Sequence, residues 1–216
     1  HSTSQVPYLL IKAESDDHID RLFLNGITTD LEGGGTSFEL LNLNTDTRFL
    51  SSFSIDSLQL TAGKSYQINS GQTLSINNEL FANGSCSQTI IINSLTEGSA
   101  AYLRKSGSQI TVNYCDLKDI HATGGALFTA NNTIDRGNNL GWQINPPVYG
   151  THYWIGGVGN WSDMNHWALS SGGAPGACPP TAFDDVIFDN NSFSSSNETV
   201  TIDITNASCK NMIWQT

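Results

Sequence analysis

The sequence predicts an all-β protein whose main part is a right-handed parallel β-helix, a solenoid in which each coil stacks on the one before it. Apolar and polar residues alternate along most of the chain, as they do in strands. Apolar strand centres return at nearly regular intervals, and Gly, Asn, Ser and Asp cluster between the alternating segments. A β-sandwich with meander loops is the alternative, because it would produce the same alternation.

The alternating segments follow one another through the first two thirds of the chain. They cover residues 21–31, 37–43, 53–63, 64–80, 88–94, 100–107, 109–120 and 126–135. None of them has the helical period, and few carry the Glu, Lys, Ala and Leu that favour a helix. Only the stretch 4–24 leaves room for a short helix before the first strand.

Five of these segments have centres at a nearly constant interval. The centres are Ile55, Leu74, Ile91, Ile110 and Phe128. A period of roughly 20 residues is typical of a solenoid, whose coils stack at about 4.8 Å. Asparagines at strand ends fit coil corners, because Asn tolerates left-handed backbone and forms side-chain ladders. The candidates are Asn44, Asn69, Asn77, Asn93 and Asn113.

A change in composition at Asn145-Pro146-Pro147 predicts a domain boundary, because two prolines end a strand. We therefore predict a β-solenoid over 1–146. Residues 147–216 are predicted to form an aromatic and Gly-rich entrance or capping module that also contains β-strands.

The charge balance narrows the classes of partner. The chain contains nine Lys and Arg residues and 20 Asp and Glu residues, which gives a formal charge of −11. Nucleic acids and anionic membranes both require basic patches, so neither is an expected partner. No apolar run approaches the roughly 18 residues of a membrane helix, and we predict no membrane insertion. Only 13% of the residues are charged, which is typical of extracellular β-rich proteins.

The four cysteines fall into one pair in each half of the chain. Long intervals separate Cys86, Cys115, Cys178 and Cys209, unlike the paired Cys-x-x-Cys of a zinc site. We predict the disulfides Cys86–Cys115 and Cys178–Cys209, and with them an oxidising compartment. Buried free thiols that act as small apolar residues are the alternative.

Four stretches together resemble a tandem module of very large, secreted, adhesin-like surface proteins of gliding bacteria of the Bacteroidetes type. They are residues 119–142, 154–168, 176–193 and 200–214, and the resemblance covers about residues 83–216. It implies that 154–168 begins a β-helix and that 119–142 ends one. It also implies a surface location, an adhesive role and a place for calcium, and it supplies no catalytic residues.

The tryptophans Trp154, Trp161 and Trp167 allow two interpretations. They could form a platform that stacks on a polysaccharide. They could instead form a small core that covers the exposed apolar end of a solenoid, with each indole N–H bonded to a backbone carbonyl. The capping core is favoured, and it predicts that Trp161 and Trp167 are buried. Trp154 remains the candidate ring for binding a glycan.

Two acidic clusters are candidate calcium sites, and calcium is the candidate cofactor. Calcium binds six to eight oxygens from carboxylates, amides and carbonyls. The predicted ligands are Asp184, Asp185 and Asp189 in one cluster and Asp135 and Asn139 in the other. Neither cluster has the pattern of an EF-hand loop. The alternative is a set of turns in which Asp and Asn bond to their own backbone.

Catalysis is the less favoured interpretation of the acidic and basic residues near position 120. Alternation would place Asp119 and His121 on one strand face as an acid–base pair, with Lys118 on the other. A solvated face of mixed charge looks the same. We therefore predict a non-enzymatic structural or adhesive segment of an extracellular or cell-surface bacterial protein. Its expected partners are a surface polysaccharide or neighbouring repeats of the same chain. The alternatives are a carbohydrate-binding module and a β-helix polysaccharidase.

Overall fold

The computed structural model describes residues 8–14, 17–204 and 207–215, and the chain is all-β apart from a short 3-10 helix at Met164–His166. It divides into two compact units, His1–Pro147 and Val148–Thr216. The predicted boundary lies one residue before this division. No helix among the described residues is long and apolar enough to cross a membrane.

The first unit is built from parallel sheets, named A, B and C. Sheet A contains β1 (Tyr8–Lys12), β3 (Thr28–Glu32), β5 (Thr47–Phe49), β7 (Ser65–Ile68), β9 (Ile90–Ser94), β12 (Cys115–Lys118) and β15 (Ile134–Asp135). Sheet B contains β2 (His18–Asn25), β4 (Ser37–Asn44), β6 (Phe53–Leu60), β8 (Thr73–Ala82), β10 (Ala101–Arg104) and β13 (Ile120–Thr123). Sheet C contains β11 (Gln109–Asn113), β14 (Leu127–Asn131) and β16 (Trp142–Asn145).

The connectivity of these sheets is that of a β-helix-like fold. In the first coils the chain alternates between sheets A and B, so each strand pairs in parallel with the strand of the next coil. A β-sandwich is built from antiparallel pairs, so this pairing favours the β-helix. The all-β prediction is confirmed, and the right hand of the coil stays a prediction. Strands β1 and β2 occupy the described part of 4–24, where a short helix was allowed; residues 4–7, 15 and 16 lie outside the described residues.

Apolar side chains from successive coils stack in columns inside the first unit. In sheet B, Leu41 pairs with Leu58, and Leu58 pairs with Leu80. In sheet A, Phe49 pairs with Ile68. All of these residues are buried. Each buried Leu, Ile or Phe contributes about 1.5–3 kcal/mol, so every coil is stabilised by its own contribution to each column.

The predicted coil period is correct for the early coils and again where Ile110 pairs with Phe128, but not for the coils between them. In an early coil Ser37 pairs with Ser54, whereas Leu74 pairs with Leu103 across a much longer stretch of chain. The five regularly spaced residues therefore do not form one column. Ile91 has its side chain on the outer side of β9, since its neighbours Ile90 and Ile92 are the buried residues. Longer connections between strands lengthen the middle coils, in which Ile68 pairs with Ser94 and Leu74 pairs with Leu103.

The second unit contains a small sheet with its own aromatic core. The sheet order is β19 (Trp167–Ala168), β17 (Thr151–Trp154), β20 (Asp185–Phe188) and β22 (Asn211–Trp214). β17, β20 and β22 pair in parallel, and β19 is antiparallel to β17. A second parallel pair joins β18 (Gly159–Asn160) to β21 (Val200–Thr201). The buried core consists of Trp154, Trp161, Trp167, Val186 and Phe188.

Candidate functional site

The three tryptophans of 154–167 form the core of the second unit. Trp161 and Trp167 are 2% and 0% exposed, which confirms that they are buried. Trp154 is also 0% exposed, and its ring stacks on His166 at 4.8 Å. Its Nε1 donates to the carbonyl of Gly157 at 2.7 Å. A ring with no free face cannot stack on a sugar, so the prediction of Trp154 as a glycan-binding residue is wrong.

The capping interpretation expected every indole N–H to bond to a backbone carbonyl. In the structure not all of them do. Trp167 Nε1 donates to the carbonyl of Trp161 at 2.7 Å. Trp161 Nε1 is buried and has no hydrogen-bond partner within the described part of the chain. The aromatic packing of this core therefore outweighs the cost of leaving one buried donor without a partner.

The predicted disulfide pairs do not form. Cys115 and Cys209 carry free thiols, and the disulfide-bonded cysteines are Cys86 and Cys178. Cys115 is fully buried on the inner side of β12, paired with Ile90 of β9, and behaves as a small apolar core residue. Pairing by distance along the chain is misleading, because it ignores which side chains face the interior.

Thiol reactivity should reproduce this pattern. Burial raises the pKa of Cys115 to about 12, because the thiolate would lose its solvation. We expect an aromatic disulfide reagent to modify half-buried Cys209 well before Cys115 in the folded protein. After unfolding without reductant, the titration should give two thiols per chain. A count of zero would mean that all four cysteines are in disulfides and would contradict the free thiols, and a count of four would mean that no disulfide is present.

The first predicted calcium cluster is not assembled. Asp184 is buried, and its Oδ1 accepts a hydrogen bond from the amide of Gly150 at 2.7 Å. Its Oδ2 accepts from the amide and the hydroxyl of Thr181 at 2.8 and 2.7 Å. These donors occupy the carboxylate oxygens that a cation would need.

The other two acidic residues of that cluster have separate roles. Asp185 accepts a bond from the Asn211 amide at 2.7 Å on the neighbouring strand. Asp189 follows β20 and accepts from the backbone amide of Asn191 at 2.8 Å, which closes a turn. Among the described residues, no three His, Cys, Asp or Glu side chains are grouped as a metal ion would require. These side chains do not fit a calcium site.

The second predicted calcium cluster is a turn. Asp135 Oδ1 accepts from the amide of Gly137 at 2.9 Å and from the side chain of Asn139 at 2.6 Å. Asn139 Oδ1 accepts from the backbone of Ile120 at 2.9 Å. The oxygens are therefore bonded to the chain itself, as the alternative interpretation proposed.

The acid–base pair considered near position 120 is not assembled either. Asp119 lies at a corner with φ of 58°, not on a strand, and it is only 1% exposed. It accepts bonds from the amide of Gly98 at 3.0 Å and from Asn138 at 2.6 Å. His121 lies on β13, where its ring contacts Tyr102 edge-on at 5.7 Å. Asp119 thus holds a corner and is not presented to a substrate.

His152 makes the second unit sensitive to acid. Burial lowers the pKa of His152 below its ordinary value of 6.5, and the carboxylate of Asp184, 3.9 Å away, only partly opposes this. The folded unit therefore favours the neutral ring. Its stabilising contribution is complete above pH 6.5 and is lost as the pH falls through the folded-state pKa.

Unfolding at two pH values tests this sensitivity. Between pH about 7.5 and about 5, the wild-type protein should lose more stability than His152→Gln, because the variant has no ring to protonate. His18→Gln, at an exposed position of the first unit, should behave like the wild type. Equal pH dependence in the wild type and His152→Gln would contradict the assignment.

The outer surface of sheet B carries a repeated break in the in–out alternation. In β2, β4 and β6, two consecutive outward residues lie between inward ones. The outward pairs are Asp20-Arg21, Glu39-Leu40 and Asp56-Ser57. The first residue of each outward pair is acidic. It is also the residue that the backbone pairing skips, namely Asp20, Glu39 or Asp56. This arrangement places a row of carboxylates on the surface along successive coils.

In β8 the same position contains an extra residue, which forms a β-bulge. Asn77, Asn78 and Glu79 all point outward, where β6 has two residues. Lys105 is only 4% exposed, and its Nζ donates to the carbonyls of Asn77 and Asn78 at 3.1 and 2.6 Å. Asn77 in turn donates to Asp56 at 2.8 Å. The bulge is therefore fixed by a buried cation and by the neighbouring coil.

Two adjoining depressions flank this bulge, and we call them together the bulge groove. One is lined by residues that include Arg21, Glu39, Asp56, Gln59, Glu79 and Phe81. The other shares Asn78, Glu79 and Phe81 and adds Gln109, Thr111 and Asn113. Phe81 is 43% exposed although it is a large aromatic residue. Bulges often lie beside binding sites, where they re-aim side chains.

The prediction from sequence missed the bulge groove, although a signal for it exists. The pattern apolar–acidic–any–Leu occurs at 19–22, 38–41 and 55–58, and its expanded form Ile-Asn-Asn-Glu-Leu occurs at 76–80. Simple alternation would place apolar residues at every second position, and this pattern breaks it at the same point of each coil. The repeated break marks a surface feature that runs across the coils.

A comparison with known proteins supplies no relative for this chain. The chain matches no protein-family model, no curated protein and no solved structure. The resemblance to adhesin-like modules stays a prediction.

Proposed function

We propose that this chain is a non-enzymatic structural and adhesive segment of an extracellular bacterial surface or secreted protein. The observation that carries the proposal is the way in which outward side chains join successive coils, in addition to the backbone pairs. In a solenoid each coil contacts only its neighbours, so these side-chain links determine how well the stack resists local opening. The disulfide-bonded cysteines support an oxidising compartment.

An asparagine ladder links four consecutive levels of the first unit. Asn113 donates to Asn83 at 2.6 Å, Asn131 donates to Asn113 at 3.2 Å, and Asn145 donates to Asn131 at 2.9 Å. Each Asn side chain donates a hydrogen bond to the Asn of the level before it, as stacked Asn side chains do in other parallel assemblies. The ladder supports a spacer because it reinforces the stacking direction without requiring a ligand.

Ion pairs between neighbouring coils add to this reinforcement. Arg48 donates to both carboxylate oxygens of Asp30 at 2.6 Å, and Asp30 is almost fully buried. Arg136 binds both carboxylate oxygens of Asp116 of the previous coil in a similar way, at 3.1 Å to Oδ1 and 2.8 Å to Oδ2. Bidentate pairs of arginine with carboxylate are among the stronger polar contacts.

A carbohydrate-binding module is the second candidate function, and the bulge groove is the observation that favours it. A polysaccharidase is less favoured, because Asp119 is buried and already bonded to Gly98 and Asn138.

One experiment separates these functions. The chain is incubated with insoluble polysaccharides, and both its retention and the release of soluble sugar are measured. We expect retention without release of product, even after long incubation. Release of reducing ends or unsaturated uronates would contradict a non-enzymatic role. Absence of retention on every polysaccharide would remove the adhesive part and leave only the spacer.

A further inference from the structure

We infer that the bulge groove binds a linear glycan that is neutral or carries amino groups, with Gln59, Glu79 and Phe81 as its main contacts. The inference rests on the adhesive part of the proposed function, and it adds a site and a ligand class. Nothing in it depends on the tryptophans of the second unit.

The extent of the groove favours a long, narrow ligand. Its lining comes from β2, β4, β6, β8 and β11. Neighbouring strands lie about 4.8 Å apart, so five strands present side chains over roughly 19 Å. Such a span is too long for a monosaccharide and suits several residues of a polymer. The coil spacing is also close to the length of one pyranose in an extended chain, so successive coils can meet successive sugars.

The floor of the groove favours recognition through side chains. The strands of the floor are already paired with their neighbours in parallel ladders. A peptide that binds by adding a strand requires a free sheet edge, whereas β4 and β6 in the middle of the groove have partners on both sides. An occupant that lies across the middle of the groove must therefore contact carboxylates, amides and the exposed ring.

The lining is suited to a hydroxyl-rich ligand. Glu39 and Glu79 have carboxylates that accept hydrogen bonds from sugar hydroxyls. Gln59 accepts from Asn42 at 2.5 Å through its carbonyl oxygen, which leaves its amino group directed to donate. Phe81 offers an aromatic face to the apolar face of a pyranose. A few oriented polar groups beside an aromatic surface are typical of a ligand site.

The charge of the groove selects among glycans. Three carboxylates of the lining, Glu39, Asp56 and Glu79, outnumber the two nearby cations, Arg21 in the lining and Lys105 under the bulge. The whole chain has a formal charge of −11, which adds to the negative field. A uronan would be repelled by these carboxylates. Uncharged hydroxyls and protonated amino groups are both hydrogen-bond donors to them, so neutral and amino glycans share the required chemistry.

Calorimetric titration with three hexasaccharides tests the site. The probes are a neutral β-1,4-linked glucose oligomer, a chitosan oligomer and a galacturonate oligomer. We expect binding of the neutral or the chitosan probe and none of the galacturonate probe. Phe81→Ala should weaken binding about five- to tenfold, since a stacked ring contributes about that factor. Glu79→Gln should weaken binding of chitosan more than binding of the neutral oligomer.

Matched variants control for exposure and charge. Phe183→Ala removes a ring of similar exposure (46%) from the second unit, and Glu97→Gln removes an exposed carboxylate outside the groove. Both should bind like the wild type. Because Phe81 and Glu79 are exposed, their variants should keep the wild-type melting temperature.

Three outcomes would overturn the inference. The first is that no probe binds to the wild type. The second is that Phe81→Ala binds the probes as well as the wild type does. If the chain is also retained on polysaccharide in that case, the adhesive function is supported but its binding site lies outside the bulge groove. The third is that a lysine-rich peptide binds with the same sensitivity to Phe81→Ala and Glu79→Gln, which would make the groove a cationic-peptide site.

Discussion

Replacing Trp167 by alanine is expected to lower the free energy of unfolding of the second unit by about 3–5 kcal/mol. The Trp167 ring is fully buried and lies 5.0 Å from Trp154 and 4.9 Å from Trp161. Its Nε1 also bonds to the backbone of Trp161. The substitution removes this bond and leaves a cavity in a small core, which has few other side chains with which to fill it.

Denaturant unfolding followed by circular dichroism and fluorescence measures the effect. Trp214→Ala is the matched control, because Trp214 is 65% exposed and should cause a much smaller loss. The unfolding transition of the first unit should be the same in both variants as in the wild type, since Trp167 belongs to the core of the second unit. The capping core would be contradicted if Trp154→Ala abolished polysaccharide binding and left the unfolding curve unchanged.

Asp184→Ala is expected to destabilise the second unit by at least about 3 kcal/mol. The carboxylate is buried and accepts from the amides of Gly150 and Thr181 and from the Thr181 hydroxyl. Alanine leaves these donors without a partner, and hydrogen bonds to a charged group are the costly ones to lose. Asp184→Asn should lower the free energy of unfolding by less than Asp184→Ala does. One side-chain oxygen remains to accept hydrogen bonds, while the other position becomes an N–H donor.

The control for this prediction is Asp185→Ala. Asp185 is only half-buried and accepts a bond of 2.7 Å from Asn211, so its loss should cost well under half as much.

A chelator distinguishes the structural role of Asp184 from calcium binding. We expect chelation to leave the unfolding of the wild type unchanged. A chelator-dependent loss of stability that Asp184→Ala abolishes would instead establish a metal role for this carboxylate.

Local pattern was sufficient to predict most strands. The alternation over 37–43 corresponds to β4, and that over 88–94 contains β9. The segment 64–80 was predicted as continuous, and the structure divides it between β7 and β8. The division occurs near Gly71, whose φ of 78° requires a turn that alternation alone does not reveal.

The candidate sites were less predictable, because each depends on what surrounds a side chain. Trp161 and Trp167 were predicted to be buried and are, but Trp154 is buried with them. The residue types of the calcium clusters were suitable, yet Asp184 and Asp185 bond to different partners and do not converge. Composition identifies groups that can bind an ion, whereas their convergence is a property of the packed chain.

By itself the sequence determined the all-β class and the burial of Trp161 and Trp167, since these follow from local alternation and side-chain size, while it left a β-sandwich open beside the predicted stack of parallel coils. Only the tertiary structure decided which residues meet between coils. It brought together Asp56 and the bulge at Asn77, and it left Cys115 as a free thiol in the core. The physical reason is the variable length of the coils, which is short where Ser37 pairs with Ser54, long where Leu74 pairs with Leu103, and short again where Ile110 pairs with Phe128. Each change in length shifts the register, so a fixed period cannot identify the neighbours that form a site.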